Sequence, residues 1–457
     1  MKKNSPLFDA LLANVPHLAS PDQMQRHMSD MSGFEGAMPA VVFRPVSTEQ
    51  VSDIVKTCAA EGRKITIQGG LTGLAGGARP DEGDVVISLE SMNRVEEIDI
   101  IGGVAIVQAG VILENLCHAV QQEDWYFPLD FGSRGSCLIG GNVSTNAGGN
   151  KVLRYGTTRD LVLGMEVVLP DGTILNMLNR LIKNNTGLDL KHLFIGTEGR
   201  LGIITRLSLR LFPNPQTRAT ALVALDSFDH VTRMLKEARS ALPDLSSFEV
   251  MWQSYLVQAA EHANKELPFE GRYPIYVLLE IEGADKPTFH NGFHAFLEYL
   301  IESGIGRDVI VPQTLEQADS LWQIRDAIGE ILRSVKPYVA FDIGIPLKHM
   351  PDFIEQVTAA LETEYPHAIN LLFGHLGDGN LHLTTGKLQE TEILAVEELV
   401  YRIASAFRGS ISAEHGIGRI KKPFLKYSRS PQELALMSAI KNLMNPQDLF
   451  NAGRIVD

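Results

Sequence analysis

Lys64-Ile65-Thr66-Ile67-Gln68 reads as a strand, and it runs straight into Gly69-Gly70-Leu71-Thr72-Gly73-Leu74-Ala75-Gly76-Gly77. Glycine has no Cβ and reaches positive φ, so a loop of this kind lets backbone N–H groups come close to a ligand phosphate. A nicotinamide-type dinucleotide loop needs a helix immediately afterwards, but here Ala78-Arg79-Pro80-Asp81 breaks into a turn before a strand at Val85. A nicotinamide site of that type is disfavoured. The theme recurs at Gly132-Ser133-Arg134-Gly135-Ser136, which leads into Gly140-Gly141-Asn142-Val143-Ser144-Thr145-Asn146-Ala147-Gly148-Gly149, and at Gly196-Thr197-Glu198-Gly199-Arg200-Leu201-Gly202-Ile203. So many small and amide-bearing residues predict a surface lying flat against a large, polar, partly planar ligand.

Around these loops, residues 40–211 alternate short apolar runs with glycine, the pattern of a strand-rich half. One helix is announced by Ser47-Thr48-Glu49-Gln50, a hydroxyl cap with Gln50 three residues on, followed by Val51, Ile54, Val55 and Cys58 at helical spacing. After Pro213-Asn214-Pro215 the pattern changes to strands alternating with full-length helices, as in an α/β sandwich. The expected fold class is α+β, with domains at 1–215 and 216–410 and a C-terminal segment at 411–457 that rejoins the first domain.

The whole chain narrows the class further. Its 457 residues are 44% hydrophobic and 21% charged, which predicts a folded protein with a sizeable core. A net charge of −14 repels phosphate backbones, so nucleic acid is an unlikely partner on electrostatic grounds. Three scattered cysteines (Cys58, Cys117, Cys137) make neither a disulfide framework nor a CxxC metal site, and point to a reducing, cytoplasmic setting. Lys2 and Lys3 are followed by Asn4, Ser5, Pro6 and Asp9 rather than an apolar core, and no apolar run approaches about 20 residues, so neither export nor a transmembrane segment is expected.

The sharpest local signal is Phe373-Gly374-His375-Leu376-Gly377-Asp378-Gly379-Asn380-Leu381-His382. Asp-Gly is a two-residue hairpin turn, which would set Gly377 opposite Asn380, Leu376 opposite Leu381 and His375 opposite His382. Opposed residues share a sheet face with Cβ atoms about 4.5–5.5 Å apart, close enough for two imidazoles to converge on one ion or simply to stack. Ser412-Ala413-Glu414-His415-Gly416 offers a carboxylate beside a further histidine.

The glycine loops, with Pro128-Leu129-Asp130, Tyr155-Gly156 and Lys183-Asn184-Asn185-Thr186-Gly187, resemble the FAD-binding domain of the vanillyl-alcohol oxidase superfamily. Within it the chain is similar to the FAD-dependent D-2-hydroxyacid dehydrogenases, the group of D-lactate dehydrogenase, glycolate oxidase subunit and D-2-hydroxyglutarate dehydrogenase. The resemblance implies a two-subdomain FAD domain plus a cap domain. It also implies noncovalent FAD, since no histidine occupies the stretches where covalent attachment would be expected. FAD would meet Gly69, Gly70, Leu71, Thr72, Gly73, Leu74, Pro128, Asp130, Ser133, Gly140, Gly141, Asn142, Thr145, Asn146, Ala147, Gly148, Gly149, Tyr155, Glu198, Gly202, Ile203 and Asn451.

The same resemblance implies a divalent ion on His375, His382 and Glu414, a donor set that suits zinc and also manganese or iron. It makes His415 the base and Arg325 the clamp for a substrate carboxylate, with an electron-transfer flavoprotein or a quinone as acceptor and a homodimer as a possible assembly. Two rival readings are a metal-dependent hydrolase or lyase whose loops hold a phosphorylated substrate, and an FAD-bearing subunit without turnover of its own. The chain departs from the pattern at Leu71, where many relatives carry a polar residue before the threonine. Ala340, Gly329 and Thr384 stand where the glutarate enzymes would supply a lysine, a hydroxyl and an amide, which favours a smaller or more apolar 2-hydroxyacid.

Overall fold

The structure, a computed structural model, describes residues 5–457, so the Lys2-Lys3-Asn4 reading lies outside the described residues. The chain divides into two compact units. The first gathers the chain up to Gly148 with Gly156–Asn214 and Glu414–Asp457; the second gathers Gly149–Tyr155 and Pro215–Ala413.

The first unit holds two main sheets. One contains β1 (His17–Leu18), β2 (Val41–Phe43), β3 (Ile65–Gln68) and β4 (Val85–Ser88) in the order β1-β2-β4-β3, with β2 and β3 both parallel to β4. Parallel neighbours need a crossover, and helix Thr48–Glu61 supplies it between β2 and β3. Ser47 Oγ accepts from Gln50 N at 3.3 Å, as the sequence predicts, while Gln50 Oε1 turns back to Val46 N at 2.8 Å. Val51, Ile54, Val55 and Cys58 are fully buried in the core with Val41, Phe43, Val85 and Ile87. Each such side chain contributes about 1.5–3 kcal/mol relative to exposure. Gly62 at φ 63 ends the helix in the left-handed region.

The other sheet is antiparallel and runs β5-β6-β10-β8-β9, from β5 (Val95–Asp99), β6 (Val104–Gln108), β8 (Val162–Val168), β9 (Ile174–Met177) and β10 (Ile203–Arg210). A short pair joins β7 (Trp125–Tyr126) to β11 (Phe212–Pro213). The last residues of the chain return to this unit: Phe450 forms a parallel bridge to Ile65, and Ile67 N donates to Asn451 Oδ1 at 2.8 Å. Arg454 is fully buried and donates to Gly77 O, Arg79 O, Ala452 O and Thr66 Oγ1. Burial, and then neighbouring Arg419, bring its pKa down to about 10.

The second unit is built on one seven-stranded antiparallel sheet in the order β15-β12-β14-β13-β17-β18-β16. Its strands are β12 (Thr217–Leu225), β13 (Leu245–Trp252), β14 (Ile275–Gly283), β15 (Asp308–Ile310), β16 (Tyr338–Gly344), β17 (Ile369–Gly374) and β18 (Asn380–Gly386). Opposed residues share a face, so Leu222, Leu278, Met251, Phe373 and Leu371 line one side, where they pack with Tyr255, Leu321, Ile324 and Ile331 of three helices. On the other side Phe341 meets Tyr401 of helix Ile393–Ala406 edge to face. Among the described residues no helix is long and apolar enough to cross a membrane.

The hairpin departs from the expected register. The pairs are Phe373–His382 and Leu372–Leu383, so β17 stops at Gly374 and residues 375–379 form a longer turn. A two-residue turn of the predicted type needs positive φ at both central residues, but Gly379 has φ +87 while Asp378 keeps negative φ. The loop instead closes through Asp378 N on His375 O, Gly379 N on Leu376 O and Asn380 N on His375 O.

Candidate functional site

In the first unit the glycines divide by what surrounds them. A Cβ on Gly70 would sit 2.1 Å from Ser136 O, and one on Gly140 would sit 2.6 Å from Ala109 Cβ, so these two residues let segments pack. A Cβ on Gly202 would likewise strike Val167 and Phe194. A Cβ on Gly69 would lie 3.6 Å from Gly141 Cα, so the first loop runs beside the second. Gly141 and Gly132, in contrast, have nothing within 4 Å of where a Cβ would be. That open cradle beside two backbone-rich loops fits a large flat cofactor.

The surrounding side chains brace the loops. Gln68 Nε2 donates to His27 O and Ala78 O, both at 2.8 Å, and its Oε1 meets His27 Nδ1 at 2.7 Å. Leu71 is held at φ 60, a left-handed conformation rare for a leucine. Thr145 returns its hydroxyl to Gly141 O and Asn142 O of its own helix, Asp130 accepts from Arg134 Nη1 at 2.8 Å, and Asn146 at φ 52 accepts from Arg159 N at 2.8 Å. Ala147 O receives both N and Oγ1 of Thr158. Pro128 and Asn142 are buried, and Thr72, Gly73, Leu74 and Ser133 stay at least partly open. Gly149 and Tyr155 fall in the segment that belongs to the second unit, where burial raises the Tyr155 phenol.

Glu198, also at positive φ, joins the third loop to the C-terminal segment. Its carboxylate accepts from Ile417 N at 2.7 Å and Gly418 N at 2.8 Å, and its carbonyl accepts from Asn451 Nδ2 at 2.6 Å. Burial raises the Glu198 pKa against those two backbone donors. The segment held in this way carries Glu414 and His415, and a Cβ on Gly148 would stand 2.9 Å from Glu414 Oε1. Ile203 is buried within β10.

In the second unit His375 and His382 are brought together despite the shifted register: each offers a ring nitrogen within 4.8 Å of the other, and the rings stand 5.3 Å apart at 78°. Phe373 packs on His382 at 4.8 Å and stacks on Tyr255 at 4.2 Å. His375 Nδ1 lies 2.8 Å from Glu249 Oε1. Arg325, at the C-terminal end of helix Leu315–Arg325, sets Nε and Nη2 on Glu249 Oε2 at 2.9 and 2.6 Å and Nη1 on Asp326 at 3.0 Å. Burial opposes the charge on both partners. Their attraction prevails: Glu249 lies below its ordinary range, with His375 and Arg325 as the cause, and Arg325 lies above its own. The Arg325 fork is thus engaged with protein carboxylates.

A second buried cluster in this unit centres on Lys151, which donates to Glu280 at 2.6 Å and Glu282 at 2.7 Å. Glu280 also accepts from Thr220 Oγ1 and Trp322 Nε1. Neither Glu249 nor Lys151 was singled out in the sequence. Glu249 shows there only as a carboxylate inside the apolar run Phe248–Met251.

The family described as "FAD binding domain" matches residues 39–178, and that described as "FAD linked oxidases, C-terminal domain" matches 214–455. D-2-hydroxyglutarate dehydrogenase of Bos taurus, a mitochondrial protein, is 39% identical over 90% of this chain and 76% of its own length. The D-2-hydroxyglutarate dehydrogenase of Xanthomonas citri pv. viticola is 38% identical over 92% and 89%. A putative mitochondrial D-lactate dehydrogenase of Schizosaccharomyces pombe is 39% identical over 90% and 80%. Among solved structures, p-cresol methylhydroxylase with substrate bound superposes with a TM-score of 0.78 at 16% identity, covering 100% of this chain and 98% of that one. The matched domains define an FAD-linked oxidoreductase, with the fold that p-cresol methylhydroxylase also has. The chain belongs to the FAD-dependent D-2-hydroxyacid dehydrogenase family. The hydrolase or lyase reading falls, because the first two of the loops it gave to a phosphorylated substrate lie in the matched FAD-binding domain and the relatives are dehydrogenases.

Proposed function

We propose that the protein oxidises a D-2-hydroxyacid to the 2-oxoacid with noncovalent FAD and a divalent ion, zinc by preference, held by His375, His382 and Glu414. The observation that carries the metal reading is the His375–His382 pair, whose rings stand 5.3 Å apart with a nitrogen of each within 4.8 Å of the other. FAD, when bound, supplies a hydride acceptor, and the ion supplies a positive charge for the substrate's hydroxyl and carboxylate. His415 takes the hydroxyl proton, a role suited to an imidazole whose ordinary pKa is about 6.5. Glu198 holds the backbone after His415, and the glycines that follow let the loop lie close to the cofactor. Arg325 adds a fixed cation beside His375 that favours an anionic substrate. Electrons leave to an electron-transfer flavoprotein or a quinone. The three free thiols suit a reducing compartment, and we assign the cytoplasm, although several relatives are mitochondrial. With Ala340 and Thr384 on the sheet face of His382, the preferred acid lacks a distal carboxylate.

The test is anaerobic bleaching of the flavin spectrum by a panel of D- and L-2-hydroxyacids, before and after chelation. A D-acid should bleach it, chelation should abolish the effect, and His415→Asn should slow it by about a hundredfold to ten-thousandfold with FAD retained. If flavin is present and no acid bleaches it, the chain is an FAD-bearing subunit rather than an independent enzyme.

A further inference from the structure

We infer that His27 and Asp30 are positioning residues for the cofactor: they close the neck of the loop Gly69–Gly77, although both precede residue 39, where the matched FAD-binding family begins. The inference rests on the reading that this loop lies against FAD. Five of its nine residues are glycine, the residue with the most backbone freedom to lose. Ordering such a loop on binding weakens affinity unless its two ends are already fixed.

The first end is β3, which stops at Gln68. The second end lies outside any strand and is held by side chains instead. Three successive carbonyls are engaged there: those of Gly77 and Arg79 by Arg454, and that of Ala78 between them by Gln68 Nε2 at 2.8 Å. A carboxamide turned end over end exchanges its oxygen for its nitrogen, and a turned Gln68 would set an acceptor against Ala78 O. His27 decides the direction. It is 1% exposed, its Nδ1 lies 2.7 Å from Gln68 Oε1, and its own carbonyl accepts from Gln68 Nε2 at 2.8 Å. The amide oxygen carries no hydrogen, so Nδ1 is the donor. The other ring nitrogen accepts from Arg26 Nε at 3.3 Å, while Arg26 pairs with Glu90. Burial lowers the His27 pKa, and Arg26 and Arg44 add to that against Gln68 and Glu90, so the ring stays neutral with both nitrogens matched. Asp30 takes the remaining backbone group of Ala78: its Oδ2 accepts from Ala78 N at 3.3 Å, while Oδ1 accepts from Ser32 N at 3.1 Å.

Two variants separate the donor from the bulk. His27→Leu removes the donor and keeps the space filled, whereas His27→Asn returns a donor, Nδ2, close to where Nδ1 stood. FAD affinity is read by flavin fluorescence as FAD is titrated into the full-length FAD-free protein. It should weaken about 5- to 50-fold in His27→Leu, the range for a buried amide left without a partner, and His27→Asn should recover most of the loss. Amide hydrogen exchange of the FAD-free protein should be faster over residues 69–78 in His27→Leu and restored in His27→Asn. Asp30 is only half-buried, so Asp30→Ala tests the clamp even if His27→Leu does not fold. It should weaken FAD about two- to tenfold, with recovery in Asp30→Asn, which keeps an acceptor. Unchanged exchange and unchanged affinity in the folded variants overturn the inference alone. A loss that His27→Asn fails to recover assigns the effect to packing and overturns the role of the donor. Faster loop exchange with unchanged affinity overturns the reading that the loop lies against FAD, and the inference with it.

Discussion

The glycine loops of the first unit and the buried charged clusters of the second use different parts of the chain. Around Gly69–Gly77 and Gly140–Gly149 the recognising surface is backbone, and the side chains near it mostly hold other backbone in place, as Gln68 does for His27 and Ala78. Around Glu249 and Lys151 the surface is made of side chains delivered by separate strands and helices, each charge held by a partner distant in sequence. A backbone site is therefore sensitive to volume, while a side-chain site is sensitive to charge balance.

The largest expected effect is on charge balance. Lys151→Met strands Glu280 and Glu282 without their ammonium and should cost about 3–5 kcal/mol in denaturant unfolding at neutral pH. The pH dependence has a definite sign. Burial opposes the charge of Glu280, yet Lys151 holds its pKa below the ordinary value, so the stability it contributes is present above the unfolded pKa and is lost as pH falls through the folded one. Lys151 itself is raised, and its contribution is lost only as pH climbs through that raised value. The wild-type and variant curves should consequently converge on acidification through the carboxylate range. A gap that stays constant with pH would mean that the loss is one of packing.

The next comparison separates volume from ligand contact within the loops. Gly70→Ala forces a Cβ into Ser136 O and should lower the melting temperature of the FAD-free protein, with a cost of about 1–3 kcal/mol or more. Gly141→Ala meets nothing, and because it lies in helix Ile139–Thr145 it should leave that temperature unchanged or slightly raised. Its FAD affinity should nevertheless fall, as measured by flavin retention on dilution. Full retention by Gly141→Ala would show that the open space there is not cofactor space.

The contrast also explains what could be read in advance. Loops whose function is backbone advertise themselves as glycine, and the helix capped by Ser47 was readable because its signal is local. The hairpin histidines were legible as a pair, but their register was not, because the conformation of Asp378 decides it and Asp-Gly permits more than one turn. Glu249 was invisible for a different reason. Its partners Arg325 and His375 lie 76 and 126 residues away along the chain, and only strand pairing and helix packing bring them together. Likewise, Gly149–Tyr155 belongs with the second unit through contacts such as Lys151 with Glu280, which no local pattern announces.

The smallest effect tests the edge of the side-chain site. In the sheet Asp342 stands opposite His382 and Ala340 opposite Thr384, so Ala340 lies one pleat from the histidine on the same face. Thr384 is buried and Ala340 half-buried, so a lysine at Ala340 has room to extend while its stem remains packed. The resemblance to D-2-hydroxyglutarate enzymes places a lysine at this position. Ala340→Lys should therefore lower KM for D-2-hydroxyglutarate relative to D-lactate by about two- to fivefold, the range of a partly exposed ion pair. The gain should shrink as salt rises, since screening weakens such an exposed pair. An equal loss for both acids would mean that the lysine pairs with Asp342 instead and that Ala340 does not face the distal end of the substrate.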